Sequence, residues 1–160
     1  MFTENWNKSI EEFISEANKQ EVEMIMVGGG AVNFHGYQRH SADVDFWINP
    51  TKENFKKLLS VFKNLGYKID SFPDSVLNGE QNISLKFSPV QIDIELITRF
   101  SINKPFEEAF NESKLVELNN KQRVFKWRVL SLEDLITSKV KSGRPKDLLD
   151  IQELKKINNK

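Results

Sequence analysis

VGGGAVNFHGYQRHSADVDFWI, residues 27–48, decides the architecture, because its two ends read as strands and its middle as a sharp turn. Just before it, VEMIM (22–26) continues into Val27 as an apolar run that stops at Gly28, Gly29 and Gly30. A short apolar run ending in glycines reads as a buried strand entering a tight turn, since glycine adopts positive φ without steric penalty. At the far end, DVDFWI alternates, with Val44, Phe46 and Ile48 on one face and Asp43, Asp45 and Trp47 on the other. Ala31 to His35 reads as a short helix closed by Gly36. Thirteen residues, 30–42, separate Gly29 from Asp43, a crossover short enough to bring the glycine turn beside the carboxylates.

Working outward, Ile10, Phe13, Ile14 and Ala17 recur at helical spacing and place a helix over 4–20. Pro50 and Thr51 open a second helix, Gly66 closes it, and Phe55, Leu58, Leu59, Phe62 and Leu65 make its stripe. Residues 67–70 read as a strand and 71–82 as a loop. Residues 83–87 and 90–97 read as a hairpin around Ser88-Pro89, 105–119 as partly helical, and 123–130 as a strand. Ser131 with Asp134 resembles a cap opening a helix, and Gly143 separates it from another over about 144–157. The expected fold is α+β: one domain over 1–160, its mixed sheet flanked by helices, with the C-terminal helices packed on it.

Composition narrows the chemistry. The 160 residues contain no cysteine and two histidines, which excludes thiolate zinc sites, iron–sulfur clusters, a cysteine nucleophile and a histidine cage. No apolar run approaches the ~20 residues of a membrane span, and MFTENWNKSIEEF lacks the pattern of a signal peptide. The expectation is therefore a cytoplasmic protein with no membrane partner.

The glycine turn lacks the Gly-Lys-Ser/Thr ending of a P-loop, and Asn33 stands where a dinucleotide fingerprint needs glycine. It still allows close backbone approach and exposes N–H groups to an anion; read alone, it is equally a plain strand-to-helix turn. Asp43 and Asp45, at i and i+2 on a strand, point to the same side. Adjacent carboxylates repel unless a cation lies between them, and Mg²⁺ prefers one or two carboxylates plus substrate phosphates. VQIDIELI (90–97) is a second strand of this kind, with Asp93 and Glu95 opposite its apolar row. Either acid could join the pair if the strands are neighbours. Asp93 is preferred because it lies centrally, and three carboxylates suit a two-metal site for in-line phosphoryl or nucleotidyl transfer.

Val27-Gly28-Gly29, then Asp43-Val44-Asp45-Phe46, with Asp93 as third acid, resembles the nucleotidyltransferase superfamily that includes DNA polymerase β. Gly36, Arg39 and Ser41 in the first stretch, with Lys139, Arg144, Asp147 and Asp150 in the tail, resemble more closely the small AbiEii-type toxin nucleotidyltransferases. The likeness covers about residues 22–156. It implies a minimal catalytic domain, Mg²⁺ on Asp43, Asp45 and Asp93, and transfer of NMP from an NTP to a hydroxyl acceptor with release of pyrophosphate. Gly28 and Gly29 would hold the phosphates, Ser41 would hydrogen-bond one, and Arg39 would neutralise charge nearby. The acceptor would be tRNA, a protein or a small molecule, and an antitoxin protein is an implied partner. A lincosamide-type antibiotic nucleotidyltransferase is similar in size and first motif. The competing classes are a glycosyltransferase, which also uses Asp-x-Asp but leaves the glycines unexplained, and a non-catalytic partner in a toxin–antitoxin pair.

Lys139 lies on or beside the apolar stripe of its helix, where a lysine needs a partner. Two readings stand: contact with the triphosphate, or a bridge to Asp147 or Asp150. Arg144 is the expected partner of Asp147. Trp47 and Trp127 read as core, with a partner surface as the alternative. The chain's zero net charge hides an asymmetry, since residues 1–120 hold 12 basic against 18 acidic residues and residues 121–160 hold 11 against 5. If those tail bases converge on one face, an RNA acceptor gains. If they scatter, a small molecule does.

Overall fold

The computed structural model describes residues 8–39, 43–86, 93–120 and 123–159. In chain order the elements are α1 (Lys8–Lys19), β1 (Met24–Val27), α2 (Gly28–Phe34), β2 (Asp43–Ile48), α3 (Lys52–Asn64), α4 (Asp74–Leu77), β3 (Ile83–Leu85), β4 (Asp93–Ile97), α5 (Phe106–Glu112), β5 (Lys114–Asn120), β6 (Arg123–Val129), α6 (Leu132–Ser142) and α7 (Pro145–Ile157). The strands form one sheet in the order β3-β4-β2-β1-β6-β5. The β2–β4 and β1–β6 pairs are parallel and the other neighbours antiparallel, so the sheet is mixed and the fold α+β.

The side-chain alternation of β2 explains the layering. Val44, Phe46 and Ile48 are buried on the face covered by α1, where the ring centroids of Phe13 and Phe46 lie 6.2 Å apart. The stripe Ile10, Phe13, Ile14 and Ala17 is wholly buried there, and α1 packs on β6 and α3. The odd-numbered residues of β2 face the other way. On that side Trp47 packs 5.2 Å from Phe100 and 5.1 Å from Phe106, while α2 lies against β1, β2 and α6.

Polar fastenings set the ends of these elements. Thr51 caps α3 by accepting from the Asn54 N–H, and the buried Asn54 amide donates to the carbonyls of Glu23 and Asn49. Ser131 caps α6 through the Asp134 N–H, and Gly143 ends it in the left-handed conformation. Gly36, at φ +111°, makes room for α7: a Cβ there would stand 2.8 Å from Ile157 Cγ2. Beside it the Asn158 amide donates to the His35 carbonyl, and His35 Nε2 lies 2.7 Å from the Leu130 carbonyl oxygen.

The structure departs from the sequence reading in four places. Residues 67–70 form no strand; Ile69 packs partly buried against the core, and Phe72 against Phe55 and Phe62. The stretch 105–119 is a short helix followed by most of β5, a strand whose weak local signal is overridden by seven rungs of pairing with β6. The 71–82 loop contains the single turn α4. The glycines do not precede α2 but form its first turn. The antiparallel β3–β4 pair matches the expected hairpin, whose turn at Ser88-Pro89 lies outside the described residues. Trp47 and Trp127 are both core residues.

Candidate active site

Register places the acids. In the parallel β2–β4 pair Asp43 stands opposite Asp93 and Asp45 opposite Glu95, so all four carboxyl side chains rise from one sheet face in two rungs separated by Val44–Ile94. Both sequence candidates for the third acid thus belong to the same row. Glu95 is already engaged, accepting a hydrogen bond from the Ser84 hydroxyl across the β3–β4 pair.

The glycine turn arrives from the other side. Val27 pairs with Asp45 in the antiparallel β1–β2 ladder, and the next residue, Gly28, turns the chain at φ +62°. A Cβ on Gly28 would lie 2.4 Å from Asp45 Oδ2, so any other residue would push that carboxylate aside and strain a backbone at positive φ. Gly30 meets the Met26 side chain at 2.9 Å by the same measure. We predict that Gly28→Ala displaces the Asp45 side chain and lowers stability by about 1–2 kcal/mol through backbone strain, which urea unfolding checks.

Asp45 is perturbed by its surroundings. Burial raises its pKa to about 6, the charges of Asp43 and Glu95 push in the same direction, and Lys139 and Lys146 oppose them in part. A carboxylate that resists ionisation beside two other acids is a position a cation would relieve.

A cleft of about 140 Å³ opens over this point, lined by Val27, Gly28, Asp45, Ile97, Phe100, Ser138, Lys139, Ser142 and Arg144. Its far wall is the α6–α7 turn, held by a buried ionic cluster. Lys139 Nζ lies 3.2 Å from Asp147 Oδ1 and 3.1 Å from Asp150 Oδ2. Arg144 Nε donates to Asp147 Oδ2 at 2.7 Å, while Arg39 grips Asp150 with Nε and Nη2 at 2.8 and 3.0 Å. Burial alone would raise the Asp147 pKa, but the bonds from Arg144 and Lys139 outweigh it and hold the carboxyl below its ordinary value. Lys139 therefore combines its two readings, bridging Asp147 and Asp150 while lining the cleft.

Of the residues picked out by sequence, Gly28, Asp43, Asp45, Asp93 and Lys139 are brought to one region, with Gly29 buried in the first turn of α2. Arg39, expected beside a phosphate, instead clamps Asp150 and ties the segment before β2 to α7. Ser41 lies outside the described residues. Arg144, expected as the partner of Asp147, also lines the cleft, and Ser138 and Ser142 are cleft residues that sequence reasoning did not assign. Their signal was positional: the short α6–Gly143–α7 turn folds this segment over the Lys139 wall. Among the described residues no three acids converge as a preformed metal cage. The Asp43–Asp45 pair fits Mg²⁺ held jointly by protein and nucleotide phosphates, the mode this ion prefers.

A mixed sheet with a glycine turn against an Asp-x-Asp strand, and further acids on the parallel neighbour, defines the nucleotidyltransferase class. Over residues 7–159 the chain matches a family described as "Nucleotidyltransferase of unknown function (DUF6036)", and it belongs to that family. No match was found among curated proteins.

Proposed function

We propose that this protein is a Mg²⁺-dependent nucleotidyltransferase that moves NMP from an NTP to a hydroxyl acceptor and releases pyrophosphate. The observation that carries this reading is the juxtaposition of Gly28 against Asp45, with Asp93 and Glu95 in register on β4. The backbone at Gly28 and Gly29 faces the phosphates, and Lys139 and Arg144 supply positive charge on the opposite wall. Asp43 and Asp45 hold the metal, with Asp93, which stands opposite Asp43 in the β2–β4 register, as third ligand. When bound, Mg²⁺ neutralises phosphate charge and activates the attacking oxygen. Asp93 also takes the proton of the acceptor hydroxyl.

Thermal unfolding with each of the four NTPs, with and without Mg²⁺, tests this. The expected result is stabilisation by at least one Mg-NTP that disappears in Asp45→Asn. Indifference to every Mg-NTP would overturn the enzyme reading.

A further inference from the structure

On the same sheet face a second, larger cleft of about 620 Å³ begins where the first ends. Phe100 lines both. Trp47 and Phe106 wall it on one side, Asn78 and Gly79 on another, and the end of β4 delivers Thr98, Arg99 and Phe100 to it. Thr98 is buried and fixed, its hydroxyl donating to the Gln81 carbonyl and its N–H to Asn82 Oδ1, so the positions of Arg99 and Phe100 are set by a rigid strand end.

Two cations reach this cleft, and they differ. Lys104 is neutralised by Glu112 and Asp134. Arg99 has no hydrogen-bond or ion-pair partner among the described residues, and its guanidinium lies over the Gly79 backbone, 3.7 Å from where a Cβ would stand. An uncommitted guanidinium in a cleft of small-molecule size points to an anionic ligand group, phosphate or carboxylate, which it can bind with two parallel bonds.

Topology gives the cleft its role. The glycine turn approaches β2 from the β1 side, and β4 lies on the opposite side. In nucleotidyl transfer the acceptor oxygen attacks the α-phosphorus in line with the departing pyrophosphate. With phosphates on the β1 side, the acceptor enters from the β4 side, where this cleft lies. Asn49 at its end is four residues beyond Asp45, about 13 Å at the strand rise of ~3.3 Å.

We propose, resting on the nucleotidyltransferase reading, that this cleft is the acceptor site and takes a small hydroxylated molecule bearing an anionic group held by Arg99. The acceptor oxygen forms a bond to the α-phosphorus. The α–β phosphoanhydride bond breaks with its electron pair leaving on pyrophosphate, and the hydroxyl proton passes to the carboxylate row. Of the described tail bases, Lys139 and Arg144 serve the smaller cleft, whereas Lys126 pairs with Glu117, Lys141 donates to the Ser101 hydroxyl and Arg128 lies 4.7 Å over the Phe110 ring, an engagement of the remaining bases that favours a small acceptor over RNA.

The test is binding without turnover. Ribose 5-phosphate and gluconate, as phosphate and carboxylate probes, are titrated while the indole N–H signal of Trp47, assigned through Trp47→Phe, is followed by NMR. Ribose and total tRNA are run in parallel. At least one anionic probe is expected to move the Trp47 signal, with Kd at least tenfold weaker in Arg99→Ala, partly restored in Arg99→Lys, and unchanged in the surface variant Lys126→Ala. The proposal is overturned if neither probe moves Trp47, if Arg99→Ala binds as well as the native protein, if ribose binds equally, or if tRNA alone binds in an Arg99-dependent way. Mg-NTP titration of the same samples reports separately on the nucleotidyltransferase reading, so the two can fail independently.

Discussion

Asp45→Asn is expected to abolish transfer and yet make the metal-free protein more stable at pH 8. Burial, Asp43 and Glu95 raise the Asp45 pKa from 3.8 to about 6 in the folded chain. Below about pH 4 the group is protonated in both folded and unfolded states, and it makes no difference to stability. Between about pH 4 and 6 the unfolded chain releases its proton first, so the folded state becomes progressively disfavoured. Above about pH 6 the full penalty stands. A shift of about two units corresponds to about 3 kcal/mol at ~1.4 kcal/mol per unit, and structural relaxation makes about 1–3 kcal/mol the realistic gain for the asparagine variant. Urea unfolding in EDTA should show the Asp45→Asn protein ahead at pH 8 and level with the native chain near pH 4. Equal stability at pH 8 would mean that the acids do not strain one another. Mg-NTP should then reverse the order by stabilising only the native protein.

Lys139→Met is expected to destabilise the protein strongly. Its ammonium sits between two carboxylates whose side chains are 0% and 1% exposed, Asp147 and Asp150. Without it each acid keeps one arginine and the cluster stays neutral, but the two buried carboxylates lose the cation that stood between them and repel one another. Breaking a buried pair outright costs about 3–5 kcal/mol, and with both arginines retained the loss is expected at the low end, about 3 kcal/mol. The Lys126–Glu117 bridge, with both side chains more than half exposed, contributes less than ~1 kcal/mol and serves as the control. Adding Asp147→Asn to Lys139→Met should recover part of the loss, because the repulsion between the two buried carboxylates is removed. A loss under ~1 kcal/mol, with no recovery in the double variant, would show that the cluster does not hold the α6–α7 wall.

The sequence was informative where local chemistry and burial agree. The apolar run before Gly28, the alternation of 43–48 and the stripe of α1 each satisfy one requirement, so they read correctly. The acids were legible as types and faces, since period two fixes which side each points to. Their partnership was not. Whether Asp93 or Glu95 faces Asp45 depends on the β2–β4 register, which only the folded sheet determines. Arg39 shows the same limit: a guanidinium near a candidate phosphate site looks like a ligand until the distant Asp150 is brought beside it. β5 was missed because KLVELNN has little strand character of its own and owes its conformation to β6. The larger cleft left no local pattern, since its walls come from β2, the ends of α4 and β4, and α5.

Nucleotidyl transfer is tested most directly by following both ends of the nucleotide. With Mg²⁺, a cellular small-molecule extract and each NTP labelled at the α- or γ-phosphorus in turn, the α label should move onto an acceptor. The γ label should appear in pyrophosphate, and both signals should vanish in Asp45→Asn. Release of the γ label as orthophosphate with the α label left on free nucleotide, or undiminished transfer by Asp45→Asn, would contradict the assignment.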